Sequence, residues 1–145
     1  MPPFTLRPAT ADDYTWLWEV KRLTMRPYVE QTWGTWDDRA QERFFRRHFS
    51  PTTIDVIEVD GQNAGLLNVE REPDALFLAN IQIHPDFQNR GLGAAVVGTV
   101  LETGRSLGLP VRLQVLKVNT RARDFYLRLG FRPYGENLTH FLLRR

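Results

Sequence analysis

The chain has 145 residues, 42% of them hydrophobic and 25% charged, which suits a globular protein and leads us to expect one domain over residues 1–145. No apolar run nears the roughly 18 residues of a membrane span, and Met1-Pro2-Pro3-Phe4 lacks the regions of a signal peptide, so a soluble cytoplasmic protein with no membrane partner is expected. Zero cysteines exclude disulfides and thiolate catalysis, scattered His48, His84 and His140 predict no metal, and the net charge of +2, carried mainly by arginine, reads as a solvated surface with no nucleic-acid motif behind it.

Phe4 to Arg7 reads as a first strand. Thr10 and Asp13 are spaced as a capping box, opening a helix that should run to about Met25. Pro27 to Gly34 reads as an aromatic-rich loop, and a second box-like pair, Thr35 and Asp38, opens a helix to about His48 with Arg43, Arg46 and Arg47 set among Phe44, Phe45 and Phe49. Ile54 to Val59 and Ala64 to Arg71 form a predicted hairpin turning at Asp60-Gly61. Glu72-Pro73-Asp74 turns the chain into a strand from Leu76 to Ile83, stopped by His84-Pro85. Leu92, Val96 and Val100 define a helix ending near Gly108, with Gly98 and Gly104 arguing against it on propensity. Val111 to Val118 alternates as a strand, Ala122, Phe125, Tyr126 and Leu129 stripe a short helix closed by Gly130, and Phe131 to Leu143 is a final hairpin turning near Gly135 to Asn137.

The segment richest in chemistry is the strand ending at Ile83, the turn Gln88-Asn89-Arg90-Gly91-Leu92-Gly93, and the helix that begins at about Gly91. Unpaired N–H groups and a partial positive charge at a helix start attract phosphate, and glycine lets it approach the backbone. Val96 stands where a dinucleotide fingerprint needs its third glycine, and no Gly-Lys-Ser/Thr follows, so neither that fingerprint nor a P-loop is present.

Gln88, Gly91 and Gly93 fit the Gln/Arg-x-x-Gly-x-Gly/Ala loop of the GNAT superfamily of N-acetyltransferases, and the chain resembles that family. Asn119, Ala122, Tyr126, Gly130 and Phe131 fit its second signature, Asn-x-x-Ala-x-x-x-Tyr-x-x-x-Gly-Phe. The resemblance implies an α/β GNAT fold, with a mixed, mostly antiparallel sheet of six to seven strands and about four helices. It implies acetyl-CoA as acyl donor, lying in a V-shaped opening between the strands that end at Ile83 and Val118. Ile81, Gln82 and Ile83 would pair with pantetheine, and Gln88, Asn89, Arg90, Gly91, Leu92, Gly93 and Ala94 would form the pyrophosphate loop. Asn119 would contact the cofactor.

Tyr126 would protonate the leaving thiolate as general acid, a role its phenol has the chemistry to fill. The position where some relatives carry a basic glutamate is Phe77, which cannot take a proton. Glu30 is therefore the expected carboxylate beside the amine, with Tyr28, Trp33 and Trp36 as an acceptor-binding wall, Glu70 as a further substrate contact, and His84 or a water relay as other bases. The acceptor is a small-molecule or protein amine, and homodimers occur among relatives. Phe77 also keeps open a silent sensor that binds acyl-CoA without transferring it.

Overall fold

The computed structural model describes residues Pro3–Arg145; Met1 and Pro2, which open the N-terminal stretch considered above, lie outside the described residues. In chain order these are β1 (Thr5–Pro8), a 3-10 turn (Ala11–Asp13), α1 (Tyr14–Trp33), α2 (Asp38–His48), β2 (Ile54–Val59), β3 (Gln62–Arg71), β4 (Leu76–Ile83), a 3-10 turn (Pro85–Phe87), α3 (Leu92–Leu107), β5 (Val111–Leu116), α4 (Thr120–Arg128), β6 (Arg132–Glu136) and β7 (His140–Arg144). The strands join in the order β1-β2-β3-β4-β5-β7-β6. β4 and β5 run parallel, whereas β1–β2, β2–β3, β5–β7 and β6–β7 are antiparallel. This is the mixed, mostly antiparallel sheet with four α-helices that the sequence led us to expect. The chain divides into two compact units, one of Met1–Asn68 with Asn80–Gly93 and one of Val69–Ala79 with Ala94–Arg145.

In the first unit the β2–β3 hairpin pairs Val59 with Gln62, leaving Asp60 and Gly61 as a two-residue loop with φ of 52° and 75°. Two positive φ values make a turn whose twist matches that of the strands it joins. Ile54, Val56 and Leu66 then present one apolar face, and Leu17 of α1, Phe45 of α2 and Ala9 pack on it, with Tyr14, Trp16, Trp18 and Phe49 at the margin. Arg7 fixes the entry to α1 by gripping Asp13 with two hydrogen bonds of 2.8 and 2.9 Å. The expected capping box is present there, Asp13 accepting from the Thr10 N–H at 2.8 Å.

Two sequence expectations in this unit are corrected. α1 does not stop near Met25 but continues through Pro27 to Trp33, so Tyr28, Glu30 and Trp33 lie on its last turns rather than in a loop. An interior proline removes one helical hydrogen bond, but Val29 beyond it is buried like Val20 before it, and Arg26 pairs with Glu30 at 3.2 Å. Tertiary burial past the proline outweighs the local penalty. The cap of α2 is Asp37, whose carboxylate accepts from the Ala40 N–H at 3.1 Å, and not Thr35.

In the second unit Leu76, Phe77 and Leu78 pair with Val111, Arg112 and Leu113. α3 closes through Gly108 (φ 69°), with the Leu109 N–H donating to the Gly104 carbonyl at 2.8 Å. Gly104, a liability by propensity, is required by packing: a Cβ there would lie 2.7 Å from the Leu109 oxygen and 3.2 Å from Val111 Cγ2. β7, the last strand in sequence, pairs with β5, which leaves β6 at the sheet edge. The final hairpin turns at residues 137–139, where Asn137 Oδ1 accepts from the N–H groups of Thr139 (3.0 Å) and His140 (2.7 Å).

Candidate active site

The loop after β4 is held from below by Gln88, whose Nε2 donates to the Ile83 carbonyl at 2.8 Å. That bond ties the start of the turn to the end of the strand. Asn89 and Gly91 then take left-handed conformations, with φ of 64° and 78°, and the chain enters α3 at Leu92, which is 2% exposed and anchors the turn. A residue in this backbone region is strained unless it is glycine or asparagine, and these are the residue types found at the two positions. A Cβ at Gly91 would meet nothing within 4 Å, so that position opens outward. Arg90 is exposed, its guanidinium 5.6 Å from the Phe87 ring centroid. Gly93 and Ala94 belong to the first turn of α3, whose N–H groups have no partner within the helix.

α4 is fastened at both ends. Asn119 Oδ1 accepts from the Ala122 N–H at 3.1 Å as N-cap. At the other end Gly130 (φ 92°) allows the Gly130 N–H to reach the Leu127 carbonyl at 3.0 Å and the Phe131 N–H to reach that of Tyr126 at 3.1 Å. This double closure carries its usual apolar contact, here between the rings of Phe131 and Tyr126, 5.6 Å apart and near perpendicular. Phe131 is wholly buried. Tyr126 is 9% exposed, and burial pushes its phenol up to about 12.

A sequence model of the Acetyltransferase (GNAT) family matches residues 14–131 of the chain. The chain belongs to that family. It is 28% identical, over 88% of its length, to an uncharacterized N-acetyltransferase of Methanocaldococcus jannaschii. It is 31% identical, over 61% of its length, to another from the pepI 3′ region of Lactobacillus delbrueckii subsp. lactis. The chain spans 60% and 61% of the lengths of these two relatives. Its fold is that of the PaiA N-acetyltransferase of Thermoplasma acidophilum, solved in complex with coenzyme A, with a TM-score of 0.79 at 16% identity over 99% of this chain and 98% of that one.

The family's second signature has a structural meaning here: its asparagine caps α4, its glycine closes the helix, and its phenylalanine locks against its tyrosine. Other residues singled out from the sequence stand apart. Glu30 is exposed and engaged by Arg26. Trp36 stacks on Trp18 at 6.1 Å and donates to Asp38, whereas Trp33 is 57% exposed and Tyr28 half-buried. Glu70, in the second unit, is exposed on β3. Phe77 lies on β4 opposite Arg112.

His84 Nδ1 accepts from the Asp86 N–H at 3.1 Å, and its ring stacks on Trp16 at 6.0 Å. The two rings border a cavity of about 510 Å³ lined also by Gln62, Asn63, Asp86 and Phe87. With Nδ1 already accepting a hydrogen bond from backbone, His84 is poorly placed to act as a base through that atom.

Two polar residues escaped the sequence reading. Asn68 follows Leu66 and Leu67 on β3, and Asn80 lies between Ala79 and Ile81 on β4, so each is visible in the sequence as a polar residue within a strand. Asn80 Oδ1 accepts from Gln82 Nε2 at 3.1 Å, and Gln82 and Asn68 are buried.

Proposed function

We propose that this GNAT chain transfers the acetyl group of acetyl-CoA to a primary amine by direct attack within a ternary complex. The observation that carries the proposal is the Gln88–Gly93 loop: a turn pinned to Ile83, left-handed at Asn89 and Gly91, opening outward where a side chain would obstruct, and leading into the first turn of α3, whose N–H groups have no partner within the helix. These residues fit a pyrophosphate, with Arg90 adding positive charge. The His84 N–H donates to the Ala64 carbonyl at 2.8 Å, toward β3, so strand alternation turns the Ile81 and Ile83 N–H groups to the other edge. The ladder with β5 covers Leu76 to Leu78, which supports Ile81 and Ile83 as backbone partners for pantetheine, whereas the same alternation turns the backbone of Gln82 toward β3.

In the reaction the amine lone pair forms a bond to the thioester carbonyl carbon, the C–S bond breaks, the nitrogen passes its surplus proton to water and the departing thiolate gains one. Tyr126 is the proposed donor of that last proton. Its raised pKa keeps the phenol protonated across the working range, as a general acid requires. Asn119 orients the helix that carries it. Trp33 and Tyr28 are the proposed acceptor contacts at the end of α1, with Glu30 supplying negative charge near the entering amine.

Titration of the protein with acetyl-CoA by calorimetry, followed by assay of CoA release against a panel of amines, tests this. Binding and turnover are expected, with Tyr126→Phe lowering kcat by about 10²-fold or more while leaving acetyl-CoA affinity within about twofold. Failure to bind would overturn the loop assignment, and binding without turnover of any amine would overturn transfer. A second expectation concerns pH: kcat/KM should rise as the amine loses its proton and show no decline from Tyr126 until the pH approaches about 12.

A further inference from the structure

The cavity beside His84 lies outside the transfer chemistry above. Three of the residues around it carry aromatic rings: Trp16 from α1, His84 at the end of β4 and Phe87 from the 3-10 turn that follows. The Trp16 and His84 rings lie 19° from parallel at 6.0 Å, so together they form one flat shelf with no slot between them. The rim is polar, with the primary amides of Gln62 and Asn63 and the carboxylate of Asp86. At about 510 Å³ the space falls within the roughly 300–1,000 Å³ of small-molecule sites. It is reached from solvent: a Cβ at Gly61 on its edge would meet nothing within 4 Å, Gln62 is exposed, and the His84 side chain is 23% exposed.

Several of the polar groups are oriented and still have bonds to make. Arg7 Nη2 donates to Asn63 Oδ1 at 3.2 Å, which leaves the nitrogen end of that amide free. His84 Nδ1 accepts from the Asp86 N–H, so the neutral ring carries its proton on Nε2 and keeps that donor. Neither the Gln62 amide nor the Trp16 indole N–H has a hydrogen-bond partner among the described residues. Charge disfavours ions of either sign. The Asp86 carboxylate opposes an anion, and the Arg90 guanidinium, 5.6 Å from the Phe87 ring centroid, opposes a cation. Arg7 adds little, because Asp13 and Glu58 neutralise it.

We propose that this cavity is a binding site for a neutral saccharide, whose ring lies on the Trp16–His84 shelf while its hydroxyls bond to Gln62, Asn63 and Asp86. The C–H bonds on one face of a pyranose ring present positive charge to the negative π face beneath, and covering them removes apolar surface from water. Each hydroxyl donates and accepts, so it needs neighbours of both kinds. Gln62 supplies both, Asn63 and His84 donate, and Asp86 accepts. A nucleobase would also stack, but its donors and acceptors are fixed along its edges, whereas hydroxyls rotate to match a mixed rim. The site stands apart from the transfer reading, since none of these residues belongs to the Gln88–Gly93 loop or to α4.

The test is calorimetry on the intact protein with maltose, cellobiose and N,N′-diacetylchitobiose, beside adenosine as a planar base and choline as a cation. At least one saccharide should bind with a Kd of about 1 mM or tighter and raise the melting temperature, as a ligand of the folded state must. Gln62→Ala should weaken that saccharide about threefold or more, and Trp16→Leu about tenfold or more. Acetyl-CoA affinity should be unchanged in both. Trp16 also packs against the core, so exposed Gln62 decides alone if Trp16→Leu lowers the melting temperature of the free protein. No saccharide binding at that level, tighter binding of adenosine or choline, or undiminished saccharide binding by Gln62→Ala overturns the proposal.

Discussion

Asp13 takes hydrogen bonds from both terminal nitrogens of Arg7 and from the N–H and hydroxyl of Thr10. The Arg7 guanidinium, more than any other neighbour, holds the carboxyl well below its ordinary range, at about 2 against 3.8. The folded value is the lower one, so this interaction contributes its full stability above pH 3.8 and loses it as the pH falls toward 2. Acid unfolding followed by circular dichroism should show this loss, and Asp13→Asn should flatten the dependence in that window while lowering stability near pH 7 by roughly 1–3 kcal/mol. The Thr10–Asp13 spacing was legible in the sequence. Arg7 as partner was not, because the contact forms only when β1 and the turn into α1 are set at their folded angle. The same limit applies to Asn68: a polar residue within a strand is visible in the sequence, but whether its side chain is satisfied depends on its neighbours across the sheet.

Element boundaries failed where local rules met tertiary packing. Pro27 marks a stop by propensity, yet α1 runs six residues past it because Val29 has a place in the interior. Pro27→Ala should restore the missing helical bond and stabilise the protein by about 1–3 kcal/mol, read as a higher urea midpoint with unchanged slope. Gly104 failed in the other direction. Alanine there improves helix propensity by about 1 kcal/mol but puts a methyl 2.7 Å from the Leu109 oxygen, so Gly104→Ala should be net destabilising by roughly 1–3 kcal/mol. β4 and the Asp60-Gly61 hairpin were placed correctly because turn chemistry at their ends is strictly local. The loop from Gln88 to Gly93 was equally legible, since left-handed backbone demands particular residue types.

For the molecule as a whole, strand number and helix number follow from the sequence pattern, whereas strand order does not. Nothing in the segment from Phe131 to Leu143 says which of its two strands will join β5, and the one that does is the later, β7. The strand left at the edge, β6, is exposed at every residue, and it carries Pro133, a register shift between Pro133 and Gly135, and charges at Arg132 and Glu136. These features discourage pairing with another sheet. Replacing Pro133 and Glu136 together by valine should make light scattering rise with protein concentration while the wild type stays flat. A different consequence attaches to α4. Its nine residues are clamped by Asn119 before and by Gly130 and Phe131 after, and Tyr126 rides between the clamps. Loosening either clamp will therefore disturb the seat of Tyr126 as surely as replacing Tyr126 itself, so substitutions at these four positions should lower the melting temperature together.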